Sequence, residues 1–356
     1  MSALPWMQHL IVVPVLLPLL VGALLIPVNQ NRHGLKFATS AVSGVLLWLL
    51  SLALLGMADG GHWPDGIGVY LASNWAAPFG IALMVDRLSA LMLVLTSTIA
   101  LAALVFGARR WDRVGVHFHS LFQFLLMGLN GAFLTNDLFN LFVFFEVMLA
   151  ASYGLVLHGY NLRRIQAGMQ YVAVNLVASL LFLIGVSLIY GATGTLNIAD
   201  LTLRVAALGP QDTYLLRIGA SVLALAFLTK GAMWPLGFWL PTTYAAASPP
   251  VAAMLVLMTK VGVYALLRVW LAVFGDAAGE LEGFGLAALS VGGMALRTNY
   301  VPAASELLAV QIEQPGGVRG MPARPLRVRL EVRRCLGLEG GAWRCEVGGR
   351  IVEVLS

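Results

Sequence analysis

Long apolar runs, rather than strict alternation, set the pattern of this chain. They recur from the N-terminus to about position 296, separated by short polar loops. A helix needs about 20 mainly apolar residues to cross the hydrocarbon core of a bilayer. That rule predicts membrane helices over 7–28, 35–56, 84–107, 117–134, 137–158, 164–190, 213–240 and 249–274. A ninth begins near 282 and runs out near 296. The first run has neither a basic region before it nor a convincing small-residue cleavage site after it, so it reads as a retained helix rather than a signal peptide. From about residue 297 the pattern changes. "LRVRLEVRR" alternates apolar and charged positions, as a half-buried strand does. "GLEGG" would turn it into a second strand at "WRCEVGGRIVEV". The tail is expected to be either a short β-hairpin module or a disordered stretch of the kind a shifted reading frame would give, because Arg, Gly and Pro dominate it.

The fold class expected is therefore an all-α polytopic membrane protein of about eight to nine transmembrane helices with a short tail of different character. Composition agrees: 59% of residues are hydrophobic and 11% charged, with a mean hydropathy of +0.85. Those values exclude an ordinary soluble domain. Residues 1–295 hold 24 of the 39 charged side chains, and the last 61 residues hold the other 15. Both cysteines, Cys335 and Cys345, lie in the tail, so no disulfide framework supports the apolar part. The net charge of +5 does not point to nucleic acid, because the basic residues sit in short loops and in the tail.

The loops indicate orientation. Arg32 and Lys36, then Arg109, Arg110 and Arg113, then Arg163 and Arg164 fall in alternate loops. The loops between them carry Asp59 and Asp65, Asp137, Asp200 and Asp212 with Arg204, and Asp276, Glu280 and Glu282. A Lys/Arg excess marks cytoplasmic loops. The expected topology places the N-terminus in the periplasm of a bacterial inner membrane and the tail in the cytoplasm, where both thiols would stay reduced.

Three ionisable residues fall inside apolar runs: Glu146, Lys230 and Lys260. Each costs about 2.5–3.5 kcal/mol at the bilayer centre on insertion scales. Such residues imply pairing, water access or function, and a pair that merely pins helices together is the plain alternative. The residue type sharpens the choice. Of 22 cationic side chains, three are lysines, at 36, 230 and 260. Arginine keeps its proton in almost any protein environment, whereas a desolvated lysine can release one near neutral pH. The helix around Lys230 is also expected to break, because Gly231 follows it and Pro235 removes a backbone donor. Interrupted helices at mid-depth suit ion sites, although a simple proline kink has the same signature. Asp137 is expected to cap a helix or to serve as a proton entry. Gln170, Tyr171 and Asn175 line a wet path or bond between helices. His117 and His119 point to different helix faces, so no metal site is expected, and no motif for a cofactor is present.

Three stretches carry a resemblance. "NDLFNLFVFFEVML", "TKGAMWPLGFWLPTTYAAASPPVAA" and "MTKVGVYALLRV" closely resemble the D-type subunit of the Mrp/Pha-type multisubunit cation/proton antiporters. That family shares a superfamily with the antiporter-like membrane subunits of respiratory complex I. The resemblance covers about residues 1–295 and implies that Glu146, Lys230 and Lys260 are proton-translocating residues. It further implies a five-helix repeat over 117–274, after helices 1–3 in residues 1–116. Residues 275–296 would begin a ninth helix, and 297–356 would form a non-family cytoplasmic tail. The family's second, inverted repeat is not expected within this chain.

The function expected is that of a membrane subunit of a monovalent cation (Na+ or K+)/proton antiporter. It would be a transporter subunit and not an enzyme, working with other antiporter subunits in the lipid bilayer. Alternatives are a proton-pumping subunit of a complex I-like oxidoreductase or membrane hydrogenase, and a truncated non-conducting scaffold. The orientation is directly testable. Reporter fusions after Arg164 and within the tail are expected to read cytoplasmic, and fusions near Asp200 and Glu280 periplasmic; a periplasmic tail would mean the number of spans is wrong by one.

Overall fold

The computed structural model describes residues 5–29, 31–75, 80–113, 117–159, 162–208 and 210–273, and four strand segments between 293 and 355. The chain divides into two compact units, Met1–Gly275 and Asp276–Ser356.

The first unit is helical. Its elements are α1 (Pro5–His9), α2 (Val13–Leu25), α3 (His33–Asp59), α4 (Arg87–Gly107), α5 (Phe118–Leu134) and α6 (Leu138–Val156). They continue as α7 (Leu162–Thr193), α8 (Ile198–Ala206), α9 (Pro210–Lys230), α10 (Leu240–Ala246) and α11 (Pro249–Val273). Six of these are long and apolar enough to cross a membrane, and α2 and α5 are shorter apolar helices. All eight expected spans thus correspond to helices, with two differences. The first run is divided by a turn at residues 10–12 into α1 and α2. The seventh stops at Lys230, passes through a non-helical segment and a 3₁₀ turn over Leu236–Trp239, and resumes as α10. The outward faces keep Leu46, Leu95, Leu176 and Leu271 exposed, as a lipid-facing surface would.

Helix starts follow from capping. The Asp86 carboxylate accepts the Ser89 amide at 2.8 Å, and the Ser89 hydroxyl accepts the Asp86 amide at 2.9 Å, a reciprocal box that opens α4. Asp137 opens α6 by accepting the Asn140 amide at 2.8 Å, and Asn197 opens α8 by accepting from Ala199 and Asp200.

Helices pack where side chains are small. A Cβ on Gly185 of α7 would lie 2.8 Å from the Leu223 backbone nitrogen of α9, so those helices approach backbone to backbone. α11 meets the interruption after α9 in the same way: a Cβ on Gly262 would lie 2.6 Å from the Gly231 nitrogen.

One end of the bundle is stitched together by polar groups. Strands β1 (Gly68–Leu71) and β2 (Ala82–Val85) form an antiparallel hairpin in the α3–α4 connection. The Asn136 amide, in the α5–α6 turn, donates to the Ala82 carbonyl of β2 at 2.9 Å. The Leu138 amide donates to Leu196, and the Ile198 amide donates back to Asn136. Beside this seam, Arg268 of α11 donates to Asp86 at 2.9 Å and to the Tyr264 hydroxyl at 2.7 Å. Tyr264 donates in turn to the Phe133 carbonyl at the end of α5, at 2.8 Å.

The second unit holds β3 (Gly293–Thr298), β4 (Leu307–Ile312), β5 (Leu326–Gly337) and β6 (Cys345–Leu355). They form one antiparallel sheet in the order β3-β6-β5-β4. The β5–β6 hairpin lies where the alternation of "LRVRLEVRR" predicts it, and β3 and β4 extend it on both sides. The expected ninth helix is corrected in its last residues. Residues 293–296 are strand, while 282–292 lie outside the described residues. Gly283, Gly285, Gly292 and Gly293 interrupt that run, and each glycine costs a helix interior roughly 1 kcal/mol against alanine.

Asp86 makes the polar end sensitive to acid. Burial alone would raise its carboxyl, but the Arg268 guanidinium and the bonds from Ser89 outweigh burial and hold it below the ordinary 3.8. A carboxyl depressed in the folded state contributes stability in full above its unfolded value and loses it as pH falls through the folded one. Asp86→Asn is therefore expected to lower the thermal midpoint at pH 7 by roughly 2–4 °C. The gap from the wild type should close as pH drops below 3.8; a gap constant with pH would remove the carboxylate from the explanation.

Candidate functional site

The interruption after α9 places a lysine at a helix end inside the bundle. α9 delivers Lys230 as its last helical residue. Gly231 still donates to the Phe227 carbonyl at 2.7 Å, but Ala232 has a φ of +51° and turns the chain away. The carbonyl of Thr229 accepts both the Ala232 amide at 3.1 Å and the Trp239 indole N–H at 3.2 Å. A cation at a helix C-terminus is favoured by the carbonyl dipoles there. Broken helix and buried lysine are therefore one feature.

Lys230 is held from two other helices. Its Nζ donates to the Ser179 hydroxyl of α7 at 2.9 Å and stands 3.9 Å from Glu146 Oε1 of α6. Ser179 donates onward to the same Glu146 oxygen in a short hydrogen bond. The ammonium also lies over the Phe145 ring, 4.9 Å from its centroid, close enough for a cation–π contact. The hydroxyl thus accepts from the ammonium and donates to the carboxylate, so it bridges the two charges. Exposure is lopsided. The Lys230 side chain is 2% exposed, whereas that of Glu146 is 38% exposed.

Of the polar residues on α7, Tyr171, Asn175 and Ser179 share one buried stripe at four-residue spacing. The Tyr171 hydroxyl pairs with Ser152 of α6 at 2.8 Å, and the Asn175 amide donates to the Tyr171 carbonyl at 3.0 Å. A cavity of about 10 Å³ opens among Lys230, Tyr171, Asn175 and Trp239, which is space for about one water. Gln170 lies on the exposed side of α7 and accepts from Thr242 of α10 at 3.2 Å. Asp137 is a helix cap, and burial raises its carboxyl above the ordinary value. Lys260 stands apart from the cluster. Its side chain is exposed on α11, two residues from the Gly262 that touches the break. Among the described residues, no three His, Cys, Asp or Glu side chains form a metal-sized group.

Ser179 and Phe145 are not singled out by the sequence alone. For Ser179 a signal existed: it continues the Tyr171–Asn175 spacing by one more turn.

Residues 135–298 match the family model described as NADH:quinone oxidoreductase/Mrp antiporter, TM. The membrane unit belongs to that family. A probable K(+)/H(+) antiporter subunit of the D type from Rhizobium meliloti is 58% identical over 290 residues, covering 81% of this chain and 54% of the relative. A D-type Na(+)/H(+) antiporter subunit of Alkalihalophilus pseudofirmus is 40% identical over 278 residues, covering 77% and 55% respectively. A chain in the solved Mrp complex from Dietzia sp. superposes with a TM-score of 0.71 at 32% identity, over 78% of this chain and 51% of that one. The chain therefore spans about half the length of the relatives it matches.

The bridge predicts its own test. Ser179→Ala leaves a buried ammonium without its hydrogen-bond acceptor, at a cost of about 1–3 kcal/mol, whereas Ser179→Thr keeps the hydroxyl. Thermal midpoints in lipid nanodiscs are expected to fall for alanine and recover toward wild type for threonine. An alanine variant as stable as wild type would mean that Lys230 and Glu146 pair directly and the serine is dispensable.

Proposed function

We propose that this chain provides part of the proton path in a multisubunit monovalent cation/proton antiporter of a bacterial inner membrane. The observation that carries the reading is the buried Lys230 ammonium, hydrogen-bonded to a neutral serine and reaching its acid across it. The lysine is desolvated enough for its proton to be removable, and the Ser179 hydroxyl supplies a partner that can both accept and donate. When Glu146 stands near, Lys230 keeps its proton. When the acid moves away or is neutralised, desolvation favours the neutral amine and the proton leaves toward Lys260.

The relatives, K(+)/H(+) and Na(+)/H(+) antiporter subunits, support antiport of K+ or Na+ against H+, and with it a transporter subunit rather than an enzyme. The family description also embraces quinone-oxidoreductase subunits. The 58% identity to a named antiporter subunit favours antiport over redox-driven pumping. Partner subunits are supported by exposure. A lysine on the outside of the unit at mid-helix is costly against lipid, and so is a carboxylate 38% exposed; a covering protein segment would relieve both. The loops with an arginine or lysine excess face the cytoplasm in this reading, and the N-terminus faces the periplasm.

Lys230→Arg separates proton release from charge balance. If the lysine only balances Glu146, arginine preserves transport. If it must release its proton, arginine is expected to reduce pH-gradient-driven cation exchange to background while assembly stays normal, because guanidinium holds its proton at any accessible pH. The measurement uses membrane vesicles containing the chain with its partner subunits, normalised to assembled complex. Lys230→Ala/Glu146→Gln controls for the bulk of arginine, since it removes both charges together, and it too is expected to lose exchange. Exchange retained in Lys230→Arg would overturn proton release.

A further inference from the structure

A second buried polar cluster lies away from Lys230, at the end of the bundle that carries the arginine-rich loops. Its centre is Asp112, in the turn Trp111–Arg113 between α4 and α5, facing His119 on the first turn of α5. Their side chains are each 3% exposed, and Asp112 Oδ2 lies 3.7 Å from His119 Nε2. That distance is an electrostatic contact too long for a hydrogen bond. Asp112 Oδ1 and both His119 ring nitrogens have no hydrogen-bond partner among the described residues. Burial opposes a proton on this ring, as do, from α3, the ammonium of Lys36, itself 5% exposed, and the imidazole of His33; Asp112 favours one, and acts on His158 as well.

The cluster continues inward along two helices that both begin at this end. One turn deeper on α3 is Ser40 and one turn deeper on α5 is Gln123, both fully buried. Gln123 donates to the Ser40 carbonyl at 3.5 Å and accepts from the Ser43 hydroxyl at 3.3 Å. Ser40 Oγ is itself without a partner among the described residues. Polar side chains thus follow one another along the α3–α5 contact, which apolar side chains would pack at lower cost.

We propose that Asp112 and His119 form a water-bridged proton-binding site, with Lys36 setting its charge and the Ser40–Gln123 contact as its inner end. Each orphaned buried polar atom would otherwise cost about 1–3 kcal/mol. A water needs two to four polar partners, and the carboxylate and imidazole faces supply them. The step is simple in its balance. A hydronium delivered from the loop side gives its proton to an imidazole nitrogen of His119 and is left as water; the Asp112 carboxylate compensates the imidazolium. Histidine is suited to this because its charge changes in the range where cells operate. Asp112 and His119 lie outside the Glu146–Lys230 cluster, and the site stands whether or not the antiport reading holds.

The test is nuclear magnetic resonance of the full chain in lipid nanodiscs with ¹⁵N-labelled histidine, the His119 signals being assigned by their loss in His119→Gln. Two results are expected. The wild-type ring changes between neutral and imidazolium between about pH 8.5 and about pH 5 and receives magnetisation from water. In Asp112→Asn the ring stays neutral at the acid end of that range while water contact persists. If His119→Gln does not fold, the His119 signal is assigned by exclusion, from single substitutions of His9, His33, His62, His117 and His158. A His119 ring that stays neutral across the range with no transfer from water would overturn the proposal, as would a titration unchanged by Asp112→Asn.

Discussion

A positive charge inside an apolar bundle is the constraint on which this architecture turns. Lys230 cannot be left alone there, because an uncompensated buried charge costs several kcal/mol. Four unrelated parts of the chain answer it. α9 ends at that residue and offers its carbonyl dipole. α7 brings a hydroxyl, α6 brings a carboxylate, and the same α6 lays an aromatic face beneath the ammonium. The Trp239 indole then adds a second donor to the Thr229 carbonyl beside the break. None of these is a strong interaction by itself. Together they fix the relative rotation of three helices, since a turn of any one would withdraw its contribution.

The rest of the unit divides labour along the helix axes. At one end, a capping box, the small hairpin and the Asp86–Arg268–Tyr264 chain tie helices together through directional bonds. That end is built for definition. In the middle, glycine contacts let backbones approach closely, and the bonding is sparse and centred on charge. The opposite end carries Asp112, His119 and Lys36, where Asp112 Oδ1 and both His119 ring nitrogens have no hydrogen-bond partner among the described residues.

Much of this was legible from the chain, and the exceptions have physical causes. Eight helices follow from runs of about the bilayer's thickness, a constraint that admits few alternatives. Glu146 and Lys230 stand out because ionisable residues are conspicuous in apolar text. Ser179 does not stand out, because a helical serine usually returns its hydroxyl to its own backbone, as Ser51 does with Leu47. Which way Lys260 faces was also hidden, since α11 is apolar nearly all round and its pattern shows no preferred side. The β1–β2 hairpin was missed because its strands are four residues each, too short for alternation to declare itself. β3 was misread as helix because "GMAL" is apolar enough to suit either state.

The contact between Gly262 and Gly231 has a mechanical meaning. Where two helices meet through side chains, rotamer changes absorb small displacements. Here main chain rests on main chain, with no flexible atoms to yield. A shift of the interrupted segment is therefore passed to α11 as displacement instead of being dissipated in repacking. Lys260 is two residues along from that bearing point, so any displacement of the break would reach it through the main chain.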